Sequence, residues 1–594
     1  MNAIRTYYER NKTLIMLFGI LTLCIFACYL LPQFMMSLPK GHDIYYHMYR
    51  LESLSVEIKN GELPARIYTN MYRGYGYASP IFYGDWMMFP FALLVTWGVS
   101  VLDAYTAYVV SMTFLVGWSM FFSARYIFGS DRAGFVAALT YVFSSYFFTD
   151  LLYRHAAGEM QSFVFLPIVM AGAHNIVFGD CKKWYLLGLG LCGVLISHVL
   201  TAVATVVFLV IFCICGCTRL FKEPKRFLYV VSAAVVFFAS SATFIFPMIE
   251  QMQSTKFIST DGTSASAYGT LLERTLPDLM SLFSPINTQT QSAKWWYPNG
   301  IGFAFIAAIA VRITGAFNKD EGYKGKQTWI YMGLALLALL ASSAYFPWDI
   351  FQDLCATMQF PWRLMVFATL FSSLFMSGIA SALEKRSAYF TYVCTIVALS
   401  AVCFALFAAP KYTSYIKNQI DGKTEHYDYE FNVGLGEWLP TGSNRQQLIM
   451  LSKKGDVCLS NNLKSGQMSV ERHGAVLSAK FEGNSYDDTY IDLPLVAYKG
   501  YEIWLYSDDG GKIKLDWEYS KYNCLRLNIP NEVESGYITA YYKGTTVQHI
   551  SQAVTVITFV IYAAYLMCRY IILPTRRKAL KQLQNDSPRQ ANAE

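Results

Sequence analysis

Apolar runs long enough to cross a membrane, separated by short loops rich in Lys and Arg, recur from about residue 13 to residue 573. A helix needs about 20 apolar residues to cross the hydrocarbon core of a bilayer. With 54% of its 594 residues hydrophobic and only 15% charged, the chain is not a soluble globular protein. Its formal charge of +7 is scattered over the short loops. That is the distribution of the positive-inside rule, not a nucleic-acid footprint. No signal-peptide cleavage pattern follows the first run, which reads as a retained helix.

The basic loops predict twelve spans, at about 13–36, 103–127, 132–149, 160–178, 184–200, 201–219, 227–247, 301–317, 328–346, 363–383, 389–409 and 549–573. Both termini are then cytoplasmic. The apolar stretch 81–100 holds Asp85, Trp86 and Pro90. If it spanned, every later basic loop would fall on the wrong side, so it reads as an external interfacial or re-entrant element. Residues 410–547 are polar, with alternating stretches such as SVERHGAVLSAKF, YIDLPLV, GYEIWLY and GYITAYY between Gly, Asn and Asp turns. That pattern predicts antiparallel strands in a sandwich. The expected fold is a mainly α-helical polytopic membrane protein with an external C-terminal β-sandwich-like domain. Its parts are a transmembrane domain 1–409 with an external loop 37–102, the β-rich domain 410–547, and a final helix with a basic cytoplasmic tail, 548–594. The end of that tail, QNDSPRQANAE, has a disordered composition.

Most of the thirteen cysteines lie in or beside apolar runs. Cys213, Cys215 and Cys217 do not share one helix face and have no His nearby, so they read as membrane-helix filler. Cys458 and Cys524 are the pair in the hydrophilic domain, and a disulfide between them is one reading.

The segment Gly41–Pro80, GHDIYYHMYRLESLSVEIKNGELPARIYTNMYRGYGYASP, is far more charged than its flanks. Asp43 stands where a helix N-cap would be. Ile44, Met48, Leu51, Ser55 and Ile58 follow at helical spacing and end at Asn60-Gly61. The spacing predicts an amphipathic helix of about four turns lying along a membrane surface. Asp43, His47 and Arg50 fall on one side of it. The predicted topology gathers further polar groups on the same outer face: Arg66 and Arg73; Arg154, His155 and Glu159; His198; Glu250; and Arg363. Ionisable groups at membrane boundaries are costly unless paired or functional. Each also has a structural reading: Asp43 as a cap, His47 as an interfacial ring, the arginines on lipid headgroups, Glu159 as a brace for Arg154.

An acidic residue shortly after the first span, followed by external membrane-lying helices, resembles the GT-C superfamily of membrane glycosyltransferases. The local match is closer to the bacterial YfhO-type proteins and to the domain called 6-pyruvoyl-tetrahydropterin synthase-related. DIYYHMYR with NGELPAR and GYGYASPIFY, then RHAAGE, MQFPWRLM, GLGEWLP and GYITAYYKGT carry the resemblance in order along most of the chain. It implies a GT-C-like transmembrane catalytic domain that transfers a sugar from a polyprenyl-phosphate carrier on the outer face. It does not imply pterin chemistry, because no clear His₃ zinc motif is present. Many members carry two acids in the first external loop. Here the acid of DIYYH has no adjacent second acid, so metal dependence stays open. Asp43, Glu159 and His155 are the candidates to hold a divalent Mg or Mn ion.

The resemblance implies an inverting glycosyltransferase of the cell membrane, its site and β domain on the extracytoplasmic side. Its expected partners are a polyprenyl-phosphate-linked sugar, an envelope glycan, lipid or protein acceptor, and the bilayer, with no nucleic acid. Asp43 is the candidate base, with Glu159 and His155 as further catalytic candidates that orient the acceptor or act as a second acid or base. Arg363, Arg154 and Arg50 are candidates for the phosphate, because a guanidinium offers fixed, paired donors. His47, His198 and Trp362 complete the candidate substrate-binding set. Two competing readings are a lipid or polysaccharide transporter and a non-enzymatic envelope-assembly protein.

Overall fold

The computed structural model describes residues 2–30, 41–260, 270–276, 278–283, 300–314, 322–355, 358–384, 386, 388–400, 436–455, 458–463, 468–484 and 488–575. It is mainly helical, with a β-rich region towards the C-terminus. Every expected span meets a helix, although the ends of the first, eighth and eleventh and the basic tail lie outside the described residues. Five helices are by themselves long and apolar enough to cross a membrane: Asn11–Tyr29, Val101–Phe128, Ala157–Val177, Pro361–Leu383 and Thr546–Thr575. Two bent pairs raise that number to seven, Asp131–Val142 with Ser145–Arg154 (48°) and Lys225–Ser240 with Ala242–Ser254 (68°). Several others, such as Tyr185–Ser197, Val199–Cys215 and Ala304–Ile313, are apolar but shorter. The count of twelve therefore exceeds what length and composition carry.

The bends have local causes. One helix ends at Val142 with Phe143 as its C-cap, and Ser144 caps the next, its hydroxyl accepting from the Phe147 N–H at 3.2 Å. The turn that follows widens into π geometry over Thr149–Arg154 and stops at His155, whose φ of 52° is left-handed. Such wide turns and such backbone conformations gather at functional positions.

The predicted helix at 44–58 is present as Ile44–Asn60, ended by Gly61 at φ 77°. Its environment corrects the surface reading. Ten of its residues are buried, His47, Arg50 and Glu57 among them, so it is packed inside the body rather than laid on it. Asp43 occupies the N-cap position, but its side chain makes no capping hydrogen bond. The 81–100 stretch is too broken to be one spanning helix. It forms short helices at Ser79–Phe82 and Phe89–Thr96 around a buried Asp85.

The β-rich region has nine strands: β1 (Leu459–Ser460), β2 (Met468–His473), β3 (Val476–Phe481), β4 (Tyr490–Val496), β5 (Tyr501–Ser507), β6 (Lys512–Leu515), β7 (Glu518–Tyr519), β8 (Cys524–Asn528) and β9 (Gly536–Tyr542). They make a four-stranded sheet, β1-β4-β8-β7, and a five-stranded sheet, β2-β3-β9-β5-β6, with antiparallel pairing throughout. Leu477, Ile503, Leu505 and Ile538 of one sheet meet Ile491, Leu493, Leu525 and Leu527 of the other in one core, as in a sandwich. β4 is buried on both faces because its end docks on the helical body, where Val496 N–H donates to Tyr75 O at 2.8 Å. Cys458 and Cys524 are free thiols, not a disulfide.

The segment 436–441 joins the parts. Trp438 stacks on Phe82 with ring centroids 4.4 Å apart, and its N–H donates to the Tyr77 hydroxyl at 3.0 Å. The Tyr498 hydroxyl donates to Trp438 O at 3.0 Å.

Candidate active site

Three separate pieces of chain meet around Glu159. The first is the π turn Thr149–Arg154. The second is the opening turn of Ala157–Val177, where Glu159 sits and where free N–H groups favour a carboxylate. The third is Pro361–Leu364, a short helical turn whose proline needs no N–H partner and which presents Trp362 and Arg363.

Glu159 is almost wholly buried and fully engaged. Arg154 grips it with two N–H groups, Nη2 to Oε1 at 2.9 Å and Nη1 to Oε2 at 3.1 Å. Tyr146 Oη donates to Oε2 at 2.8 Å, and Arg363 Nε lies 2.9 Å from Oε1. Arg154 also pairs with the buried Asp150 and stacks over Trp362, 4.5 Å from the ring centre. Arg363 is held by Gln359 Oε1 at 2.8 Å, yet its side chain stays 20% exposed. Beside this rigid cluster, the buried indole Nε1 of Trp362 has no hydrogen-bond partner among the described residues. An unpaired buried donor costs stability unless a ligand or water meets it.

Asp43 is brought to this cluster by its backbone. Its N–H donates to Arg154 O at 2.9 Å, and the His42 N–H donates to Tyr153 O at 3.3 Å. The approach is close: a Cβ on Gly41 would come 2.1 Å from the His155 ring, so only glycine fits. The Asp43 side chain keeps an exposed edge although protein crowds it, which is the position of a group lining a recess. That crowding raises its pKa above the usual carboxylate range. Arg154 and Arg363 pull it back down, and Glu159 adds to the rise. A carboxylate raised in this way is a stronger base than a free one.

Other sequence candidates are corrected. Arg50 is 1% exposed and belongs to a separate network: it pairs with Asp85 and donates to Tyr83 O and Gly84 O, both at 3.1 Å. The Tyr68 hydroxyl takes the other oxygen of Asp85. Arg50 therefore has no open side for a phosphate. His47 Nδ1 lies 3.2 Å from Arg50 Nη1, and its ring stacks on Tyr83. Burial first, then Arg50 and His155, hold it neutral. His155 is fully buried against Tyr105 and packs behind the Asp43 turn. His198 is half-buried, bonded to Thr201 Oγ1 at 2.8 Å, and within electrostatic reach of Glu159, Arg363 and Arg154. Elsewhere, Arg66 bonds to Thr243, and Glu250 ties Lys499 (3.1 Å) to Thr545 (2.5 Å). Asp150, Tyr146, Gln359 and Asp85 are the residues that sequence reasoning did not assign to these networks. Asp150 and Gln359 each stand four residues before the arginine they hold, a spacing that carries a signal.

The donor set does not fit a metal cage. Glu159 is committed to two guanidinium groups and a phenol, His155 faces a tyrosine, and no group of three or more His, Cys, Asp or Glu gathers among the described residues.

No family model matches the chain. An uncharacterised protein of Lactococcus lactis subsp. cremoris (strain MG1363) is 21% identical over 602 residues, covering 91% of this chain and 94% of that protein. The apo crystal structure of the Archaeoglobus fulgidus oligosaccharyltransferase aligns with a TM-score of 0.37 at 11% identity. That alignment covers 73% of this chain and 57% of the archaeal chain, so the chain spans less than two thirds of that structure's length.

Proposed function

We propose that the protein is a membrane glycosyltransferase that moves a sugar from a polyprenyl-phosphate donor to an envelope acceptor on the outer face. One observation carries the reading: an accessible carboxylate, Asp43, is tied through its backbone N–H to Arg154 O at 2.9 Å, beside a cluster in which Arg154 and Arg363 both hold Glu159. In this proposal Asp43 takes the proton of an acceptor hydroxyl. The freed oxygen attacks the anomeric carbon from the face opposite the carrier. The bond from that carbon to the phosphate oxygen breaks, the phosphate leaves with the electron pair, and the configuration inverts. The phosphate is a good leaving group, so no general acid is required. Arg363 meets its charge through the exposed side of its guanidinium, and Arg154 adds to the local field. Glu159 and Tyr146 act as positioning residues that aim both arginines.

The test uses purified protein, a polyprenyl-phosphate sugar and an envelope-lipid acceptor. Asp43→Asn keeps the size of the side chain but removes the proton acceptor. Transfer is expected to fall by roughly 10²-fold or more, with the melting temperature retained. Near-normal turnover would overturn Asp43 as base and leave Glu159 as the next candidate; no transfer by the unaltered protein would favour a transporter or assembly role. The orientation is tested by thiol labelling of intact cells. A cysteine placed at the exposed Asp509, beyond β5, should react from outside.

A further inference from the structure

Away from the Asp43 cluster, a second feature has the build of a binding site. A cavity of about 350 Å³ is walled by Leu54, Leu63, Phe89 and Phe244, with Arg66 and Trp86 at its edge. A neighbouring cavity of about 460 Å³ shares Pro64, Trp86 and Thr243 with it and continues along Phe559, Val560 and Ala563 of the final helix. Each falls in the ~300–1,000 Å³ range of ligand pockets. That final helix is long and apolar enough to cross a membrane, and its Val560 and Ala563 are exposed, so the lower chamber opens where acyl chains would lie. Arg66, Asp85 and Thr243 are the polar residues lining the upper chamber.

Arg66 is the unusual member. Its guanidinium is half-buried, and Thr243 takes two of its five donors, through the carbonyl at 2.9 Å and the hydroxyl at 3.1 Å. No carboxylate pairs with it among the described residues. Asp85 lines the same cavity, but its oxygens are held by Arg50 and Tyr68. Glu57 and Glu62 line a smaller adjoining cavity with Arg66. Glu57 Oε1 accepts from Thr69 through both the N–H (2.8 Å) and the hydroxyl (2.6 Å), and neither Glu57 nor Glu62 forms an ion pair with Arg66 among the described residues. A half-buried cation without an acidic partner, at the head of an apolar groove open to the bilayer, complements one chemistry: a negatively charged headgroup on long hydrocarbon chains.

We infer that this groove holds an anionic phospholipid of the surrounding bilayer, its phosphate on Arg66 and its chains between Trp86 and the Phe559–Ala563 face. The inference is independent of the transfer reaction, because Arg66 and the groove lie outside the Asp43 cluster. The full-length protein is incorporated into vesicles of phosphatidylglycerol and phosphatidylcholine in equal amounts, extracted in mild detergent and weighed by native mass spectrometry. Retained phosphatidylglycerol should exceed phosphatidylcholine by ~10-fold, the scale of one charged hydrogen bond. Arg66→Gln should abolish that preference. Ala563→Trp, on an exposed helix face, should lower retention with Arg66 intact, and it decides the matter if Arg66→Gln does not fold. Equal retention of the two lipids, a preference unchanged in Arg66→Gln, or a retention unchanged in Ala563→Trp overturns the inference. Displacement of phosphatidylglycerol by an equimolar polyprenyl phosphate also overturns it, by making the carrier the occupant.

Discussion

Arg50 and Arg363 are both guanidinium groups set against acids, and the fold treats them in opposite ways. Arg50 is 1% exposed and is closed in by Asp85, two carbonyls and the face of Tyr83, 4.0 Å from the ring centre. Arg363 meets Glu159 and Gln359 on one side and leaves a fifth of its side chain open. The first pair ties the Ile44–Asn60 helix to the Tyr83–Asp85 turn. The second leaves charge facing outward beside Asp43. An ion pair closed off by burial organises backbone; one with an exposed side is available to a ligand.

The widest separation between the two should come from Asp85→Ala. It leaves Arg50 buried without its countercharge, a loss of about 3–5 kcal/mol. Thermal denaturation should show a large drop in melting temperature, whereas an unchanged melting temperature would erase the distinction. Arg363→Lys should do the reverse. A point charge replaces a planar fork, so transfer should fall about 10-fold, as for one lost charged hydrogen bond. The melting temperature should stay close to that of the unaltered protein. Equal damage to folding would make Arg363 another structural arginine.

The smallest effect is a shift in pH dependence. On the proposed mechanism Asp43 acts deprotonated, so activity should be lost as pH falls through its raised pKa. Glu159 raises that pKa and Arg363 lowers it. Glu159→Gln should therefore move the acid limb of kcat/KM to lower pH, and Arg363→Gln should move it to higher pH. Shifts in the same direction would show that the limb belongs to another group.

Much of this was legible in the residues. The spacing from Ile44 to Ile58 and the stop at Gly61 predicted the helix, and the alternating stretches from SVERHG to GYITAYY correspond to β2–β9. What periodicity cannot supply is a partner distant in sequence. The polar side of the Ile44–Asn60 helix looked solvent-facing because Asp85, which neutralises Arg50, lies 35 residues away. Arg154, Glu159 and Arg363 stood out as charges in an apolar chain. Tyr146 did not, since one tyrosine among 43 carries no signal. The bends at Ser144 and Ser241 divide runs whose hydropathy alone reads as straight.

The stacking of Trp438 on Phe82 sets a schedule for biosynthesis. Trp438 and its partner Tyr77 are 361 residues apart in the chain. At about 5–20 residues per second, the ribosome needs roughly 20–70 s to travel between them. During that interval the Tyr77–Phe82 turn has been made but lacks its lid, and Tyr75 lacks the strand end that docks on it through Val496. The amino-terminal loop that carries Asp43 is thus among the first parts to emerge, and its neighbouring turn is among the last to be covered. A nascent chain halted before Trp438 should expose this aromatic turn to chaperones and proteases, and one halted after Tyr498 should not.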